Sequence, residues 1–152
     1  MIRPHAILAV FALAVLGVCA CSSSSSTGAS GVSTLKPLAI PAGNLPVRLD
    51  ITQVKVSTGA TPVLLIGMQI TNGLKQMQLC DPSFFSIELA DGTRLPADQA
   101  ADNVCTPDSL DPKATGSATM YFDLASAYTG KLTVIMESSS GAVVGATTTV
   151  LH

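Results

Sequence analysis

Val63-Leu64-Leu65-Ile66-Gly67-Met68-Gln69-Ile70-Thr71, followed by Asn72-Gly73, decides the fold class of this chain. Leu64, Ile66, Met68 and Ile70 recur at every second position, which puts them on one face of a strand rather than on one stripe of a helix. Asn-Gly tolerates the positive φ of a tight turn, so the strand is expected to end there. The same period governs the flanking sequence. Val47, Leu49 and Ile51 alternate, and Val54 and Val56 alternate in the opposite phase, which predicts a bulge near Thr52-Gln53. Met77 and Leu79 mark a short strand running into Cys80. Phe85, Ile87 and Leu89 alternate with Phe84, Ser86 and Glu88, and Asp91-Gly92 closes the next turn. Ala118, Met120, Phe122 and Leu124 form one face against Thr119, Tyr121 and Asp123. Leu132, Val134 and Met136 follow, then a turn at Ser138-Ser139-Ser140-Gly141 and a last strand from Val143 to Leu151. About seven short strands separated by turn signals predict an all-β sandwich. Nothing after residue 20 has the period of a long amphipathic helix.

The N-terminal end is read differently. Arg3 supplies a positive charge, and Ala6 to Cys19 is apolar and uncharged. A bilayer span takes about 20 apolar residues, so this shorter run reads as a signal-peptide core. It ends in Val18-Cys19-Ala20-Cys21 and runs into Ser22-Ser23-Ser24-Ser25-Ser26. That junction resembles a bacterial lipobox. The resemblance implies a diacylglyceryl group carrying fatty acyl chains such as palmitate on the Cys21 thiol, cleavage after Ala20, and attachment to the cell membrane or envelope on its extracytoplasmic side. Cys19 would leave with the leader. Residues 21–44 then read as a lipidated cysteine and a Ser/Gly/Pro-rich linker, and residues 45–152 as one domain.

Composition narrows the function classes. The net charge is −2, and removing Arg3 with the leader leaves seven basic against ten acidic residues. No basic patch interleaved with aromatics is present, which argues against nucleic acid as a partner. His5 lies in the leader, leaving His152 alone in the remaining chain. Catalytic arrangements built on a positioned imidazole are therefore not expected, and neither an enzyme nor a cofactor is predicted. Cys80 and Cys105 are the remaining pair beyond Cys21, and in an exported domain they are expected to form a disulfide.

Three stretches resemble the telokin-like, immunoglobulin-like exported domains of bacteria, a family that includes a small secreted mycobacterial antigen and many lipoproteins. Ile66-Gly67-Met68-Gln69-Ile70-Thr71-Asn72 is similar to its strand ending in Val-Thr-Asn. Pro82 to Gly92 resembles its segment with a proline, a phenylalanine and a closing Asp-Gly. Leu110-Asp111-Pro112-Lys113-Ala114-Thr115-Gly116, leading to Met120-Tyr121-Phe122-Asp123-Leu124, resembles its next step, with Lys113 where the family has glycine. The resemblance implies an immunoglobulin-like β-sandwich and no particular activity.

Candidate site residues follow from alternation. If Phe85, Ile87 and Leu89 face the core, Phe84 and Glu88 face outward, as does Tyr121 on its own strand. Exposed aromatics in an aromatic-poor chain point to a partner-binding surface. Glu88 and Asp123 could instead form a carboxylate pair. Asp98, Asp102, Asp108 and Asp111 crowd the loop around Cys105; calcium is one reading, but EF-hand spacing is absent and a turn-forming loop is adopted. Met68, Met77, Met120 and Met136 are read as core filler on inward strand phases, and no metal is predicted. The expected protein is a monomeric, lipid-anchored, non-catalytic interaction module with an envelope protein as partner. The alternatives are a carrier of a small apolar ligand, held between the sheets or under the 97–116 loop, and, third, an envelope enzyme.

Overall fold

Period-two runs can bury only one face each, so they must pair edge to edge and then stack. The computed structural model describes Val32 and residues 34–152. The leader, Cys21 and the serine tract after it lie outside the described residues. Among the described residues there are ten strands: β1 Val47–Val56, β2 Val63–Asn72, β3 Gln78–Leu79, β4 Phe85–Leu89, β5 Arg94–Pro96, β6 Val104–Thr106, β7 Ser109–Leu110, β8 Thr115–Asp123, β9 Gly130–Glu137 and β10 Val143–Leu151. One antiparallel sheet has the order β1-β2-β8-β6 and the other β10-β9-β4-β5, while β3 and β7 form a short ladder of their own. The two four-stranded sheets stack face to face as a β-sandwich.

The core lies between them. Leu64, Ile66, Met68 and Ile70 of β2, Met120 and Phe122 of β8, Phe85 and Ile87 of β4, and Leu132, Val134 and Met136 of β9 are almost wholly buried. Each such side chain contributes about 1.5–3 kcal/mol by leaving water. The register of β1 against β2 shifts between Ile51 and Gln53, the bulge expected from the phase reversal. Gly92 at φ 84° and Gly141 at φ 77° sit in the left-handed region at their turns, as Asp91-Gly92 and Ser140-Gly141 require.

Asn72-Gly73 ends β2 without making a hairpin. Asn72 is fully buried; its Nδ2 donates to the carbonyls of Gln76 at 2.9 Å and Leu110 at 2.8 Å, and its Oδ1 accepts from Leu74. Gly73 is needed because its N–H reaches Pro46 O at 2.8 Å, where a Cβ would lie 2.2 Å from the same oxygen. The reading of Met77 and Leu79 as inward is corrected. Gln78 and Cys80 are buried, whereas Met77 is 53% and Leu79 44% exposed. The buried cysteine sets the phase of that segment, so its neighbours face water.

The stretch before β1 lies against the domain. Leu35 N–H donates to Arg94 O at 2.7 Å, forming an isolated antiparallel bridge on the free side of β5. Leu38 N–H then donates to the Glu88 carboxylate at 3.3 Å on the outer face of β4, and Gly43 to Leu45 line a shallow recess together with Ala146 of β10. This strap crosses the outer face of the sheet β10-β9-β4-β5. Ile135 is fully buried there although it sits on the outward phase of β9. Arg94, 5% exposed, donates through Nε to Ser86 Oγ at 2.9 Å and pairs with Glu137 on the same face.

Candidate functional site: an open seam between two sheet edges

Two crossed sheets have four lateral edges, and an edge strand leaves every second backbone amide and carbonyl without a partner. In this molecule β5 and β6 are only three residues long. β5 ends at Pro96 and has Leu35 across its free side. β6 is followed at once by Pro107 and tied down by Cys105, whose disulfide to Cys80 holds the two Cα atoms 5.8 Å apart. β1 is long, but it carries Arg48, Asp50 and Lys55 and is bent by its bulge.

β10 also has a register shift, between Val143 and Gly145, but differs from all three in composition. Val143-Val144-Gly145-Ala146-Thr147-Thr148-Thr149-Val150-Leu151 contains no charge and no proline. Its upper part is occupied: a Cβ on Gly145 would lie 2.9 Å from Val47 O of β1, so glycine lets the two sheet edges meet. Towards Leu151 the edges part. Val54 and Val56 pair in register with Ile66 and Leu64, both fully buried, and so point inward. Val56 is nevertheless 41% exposed, and Val150 is 50% exposed on β10. Between them runs a groove of about 450 Å3, lined by Val54, Val56, Ala127, Tyr128, Thr129, Val150, Leu151 and His152. Tyr128 is fixed in its floor, because its hydroxyl donates to Lys131 O at 2.6 Å and accepts from Ala90 N–H at 3.0 Å. No acidic side chain lines the groove, and Lys55 on β1 and Lys131, directly across from Val150, lie exposed on the outer faces of their two sheets. The seam can therefore offer apolar side-chain space next to unpaired backbone.

The residues expected from alternation fall elsewhere and are not brought together. Glu88 lies on β4 and Tyr121 on β8, in different sheets, so their outward faces point to opposite sides of the sandwich. Asp123 shares the strand of Tyr121, and Glu88 and Asp123 do not form a carboxylate pair for the same reason. Phe84 ends a short 3-10 helix over Pro82–Phe84 and is half-buried. Tyr121 is also half-buried, its backbone N–H donating to Asn103 Oδ1 at 2.9 Å from the loop before β6. Glu88 already serves the strap. Asp98 accepts from Ala100 N–H at 2.9 Å and so organises its own loop. Among the described residues no three His, Cys, Asp or Glu side chains converge as a metal site would need.

A second cavity, of about 290 Å3, opens at the same end between the β4–β5 turn and residues 124–128. Val32, Leu89, Leu95, Leu124 and Tyr128 make its apolar wall, and Thr34, Asp91, Thr93 and Ser126 its rim. Asp91 accepts from Thr93, which holds its carboxyl below the usual carboxylate range. No residue of the 97–116 loop lines this cavity, although that loop is one of the two places, with the space between the sheets, where the sequence suggests a ligand. Alternation could not reveal either opening, because it assigns faces and says nothing of where two sheets part.

The arrangement defines a disulfide-linked antiparallel β-sandwich in which the end of β10, from Thr147 to Leu151, is an edge without charge or proline. No protein-family model matches the chain, and no curated protein does. Among solved structures it is similar to the lipoprotein candidate YcdA of Bacillus subtilis, at 14% identity and a TM-score of 0.48, over 68% of this chain and 35% of that one. It is also similar to the secreted protein MPT63 of Mycobacterium tuberculosis, at 14% identity and 0.46, over 64% and 79% of the two chains. A third is the archaellum periplasmic stator protein FlaG of Sulfolobus acidocaldarius, at 14% and 0.42, over 68% and 99%. The chain thus spans about a third of the Bacillus protein.

Proposed function

We propose that this protein is a lipid-anchored, extracytoplasmic binding module of the cell envelope, without catalytic activity, cofactor or bound metal. The domain would be of the telokin-like, immunoglobulin-like exported type, acting as a monomer on an envelope protein rather than on nucleic acid. The observation that carries the binding role is the seam between β1 and β10, a single-sided apolar opening on an otherwise guarded sandwich. Its location rests on Cys21, which ends an apolar leader and precedes a serine run. Two acyl chains on one thiol would hold the protein stably, where one chain gives only marginal anchoring. Metabolic labelling with a fatty-acid analogue tests the anchor: the native chain takes up label in the membrane fraction and Cys21→Ala does not. Equal labelling of both would overturn it. Crosslinking in the native envelope tests the module, with a specific protein adduct expected.

The 290 Å3 cavity favours a second reading, carriage of a small apolar molecule, because five of its wall residues are apolar or aromatic. Its size suits only a small ligand. Mass spectrometry of protein purified under non-denaturing conditions separates the two readings, since a carrier would bring a stoichiometric small molecule with it.

A further inference from the structure

The first strand of the sandwich starts at one end of the domain, and the chain before it departs from the other. β1 begins beside Asn72, since Val47 pairs with Asn72 and Pro46 O accepts from Gly73 N–H. Asn72 also bonds Leu110 O, so this end carries the β3–β7 ladder and the disulfide at Cys80. Upstream of β1 the strap runs back over the outer face of β10-β9-β4-β5. From the recess at Ala146 it passes Glu88, which accepts from Leu38 N–H, and reaches Arg94, the first residue of β5, through Leu35 N–H. Val32 and Thr34 then line the 290 Å3 cavity together with Asp91, Thr93 and residues 124–126. A ten-residue strand is about 30 Å long, and the strap moves the exit point by about that distance.

We propose that the strap sets the orientation of the domain, turning the seam end to the lipid surface and the disulfide end away from it. The lipid surface then meets the turns 57–62 and 124–129, neither of which holds a charged residue. Leu35, Val56 and Val150, 38%, 41% and 50% exposed, lie at this end. Lys55 and Lys131 stand one residue from the ends of β1 and β9, on opposite outer faces of the sandwich. From there their long stems can reach anionic headgroups. Asp91 and Asp123 are also here, while Asp81, Asp108 and Asp111 lie at the other end. The tether decides between the two ends. From Cys21 to Val32 the chain spans at most about 40 Å when fully drawn out. Bringing the disulfide end to the membrane would use about 30 Å of that reach and leave the chain nearly straight, at a cost in entropy. The seam end needs no such extension. The inference rests on the reading of Cys21 as the anchor, and it narrows the envelope partner of that reading to one met at the lipid surface.

The test uses the acylated protein, purified from membranes and reconstituted in vesicles of equal parts phosphatidylcholine and phosphatidylglycerol. Nitroxide labels are attached singly through Thr58→Cys at the seam end, Ser139→Cys in the turn between β9 and β10, and Met77→Cys near the disulfide, all exposed positions. A water-soluble nickel complex should collide with the Thr58→Cys label roughly threefold less often than with the other two. Oxygen, which concentrates in lipid, should show the reverse order. Leu35→Pro with Glu88→Ala removes both bonds that hold the strap, and should abolish the difference while amide exchange in the centre of β2 stays slow. The comparison of the three labels in the otherwise native chain stands even if that variant unfolds. Equal access at the three positions, shielding of the Ser139→Cys or Met77→Cys label instead, or a difference that survives release of the strap in a folded variant would each overturn the proposal. Acyl labelling of Cys21 judges the anchor separately. Absence of label sinks that reading and the orientation with it, whereas labelled protein with the wrong end shielded sinks the orientation alone.

Discussion

The backbone N–H of Lys113 donates to the carbonyl of Asn72 at 2.7 Å, and it does so from a residue held at φ 68°. The returning bond, Asn72 N–H to Ala114 O at 2.9 Å, locks the end of β2 to the start of β8. Lys113 is the described non-glycine residue in the left-handed region, and it occupies the position where the resembled family has glycine.

Lys113→Gly should therefore stabilise the domain. A left-handed residue with a Cβ costs about 1–2 kcal/mol, and glycine gives back about 0.5–1 kcal/mol through the freedom of its unfolded chain. The net gain expected is several tenths of a kcal/mol up to about 1 kcal/mol, read as a higher urea midpoint with an unchanged slope. Lys113→Val, with a branched Cβ at the same φ, should lower it.

Asn72→Ala should destabilise by about 2–3 kcal/mol, because a fully buried side chain would leave the carbonyls of Gln76 and Leu110 short of a donor. A loss below about 0.5 kcal/mol in urea unfolding would show that these carbonyls find water instead.

Reduction of Cys80–Cys105, or the double change to serine, should cost roughly 3–4 kcal/mol on the chain-entropy model for this separation of 25 residues. The loosening should start in β3, β6 and β7 and leave the centre of β2 protected, which amide exchange can follow residue by residue. Uniform loss across all strands would mean that the crosslink holds the whole sandwich and not one end of it.

Asp81 caps the 3-10 helix at Pro82–Phe84, accepting from Ser83 Oγ at 2.6 Å and Ser83 N–H at 2.9 Å. These bonds hold its carboxyl below the ordinary carboxylate value, the side-chain bond most of all. A depressed carboxylate stabilises the fold above its unfolded pKa of about 3.9, and that contribution is lost as pH falls through the lower folded value. Asp81→Ala should thus cost about 1 kcal/mol at pH 7, and the difference from the native chain should shrink below about pH 4. A difference independent of pH would assign the effect to packing.

Much of the sandwich is legible from alternation alone, because a one-residue slip turns every side chain of a strand to the other face. Leu64 to Ile70, Ala118 to Leu124 and the phase reversal at Thr52-Gln53 all appear in the structure as read. Where a segment is too short to have a period, the same reasoning fails. Met77 and Leu79 look inward by spacing, yet the buried Cys80 forces them out. Ile135 sits on the outward phase of β9 yet is fully buried, on the face where Leu38, in a stretch that composition describes as linker, bonds Glu88. The seam was the least legible feature, since Val54, Val56, Val150 and Leu151 come from strands about ninety residues apart and meet only through the stacking of two sheets.

β10 leaves its outer side open from Thr147 to Leu151, and amide hydrogen exchange of the free, full-chain protein measures this directly. The amide of Leu35 should be protected by its bond to Arg94, and β9 should be among the slowest segments. Within Thr147–Leu151, alternate amides should exchange quickly, because only those facing β9 have a partner. Uniform slow exchange along β10 would show that its outer side is already paired, and the seam would not be open.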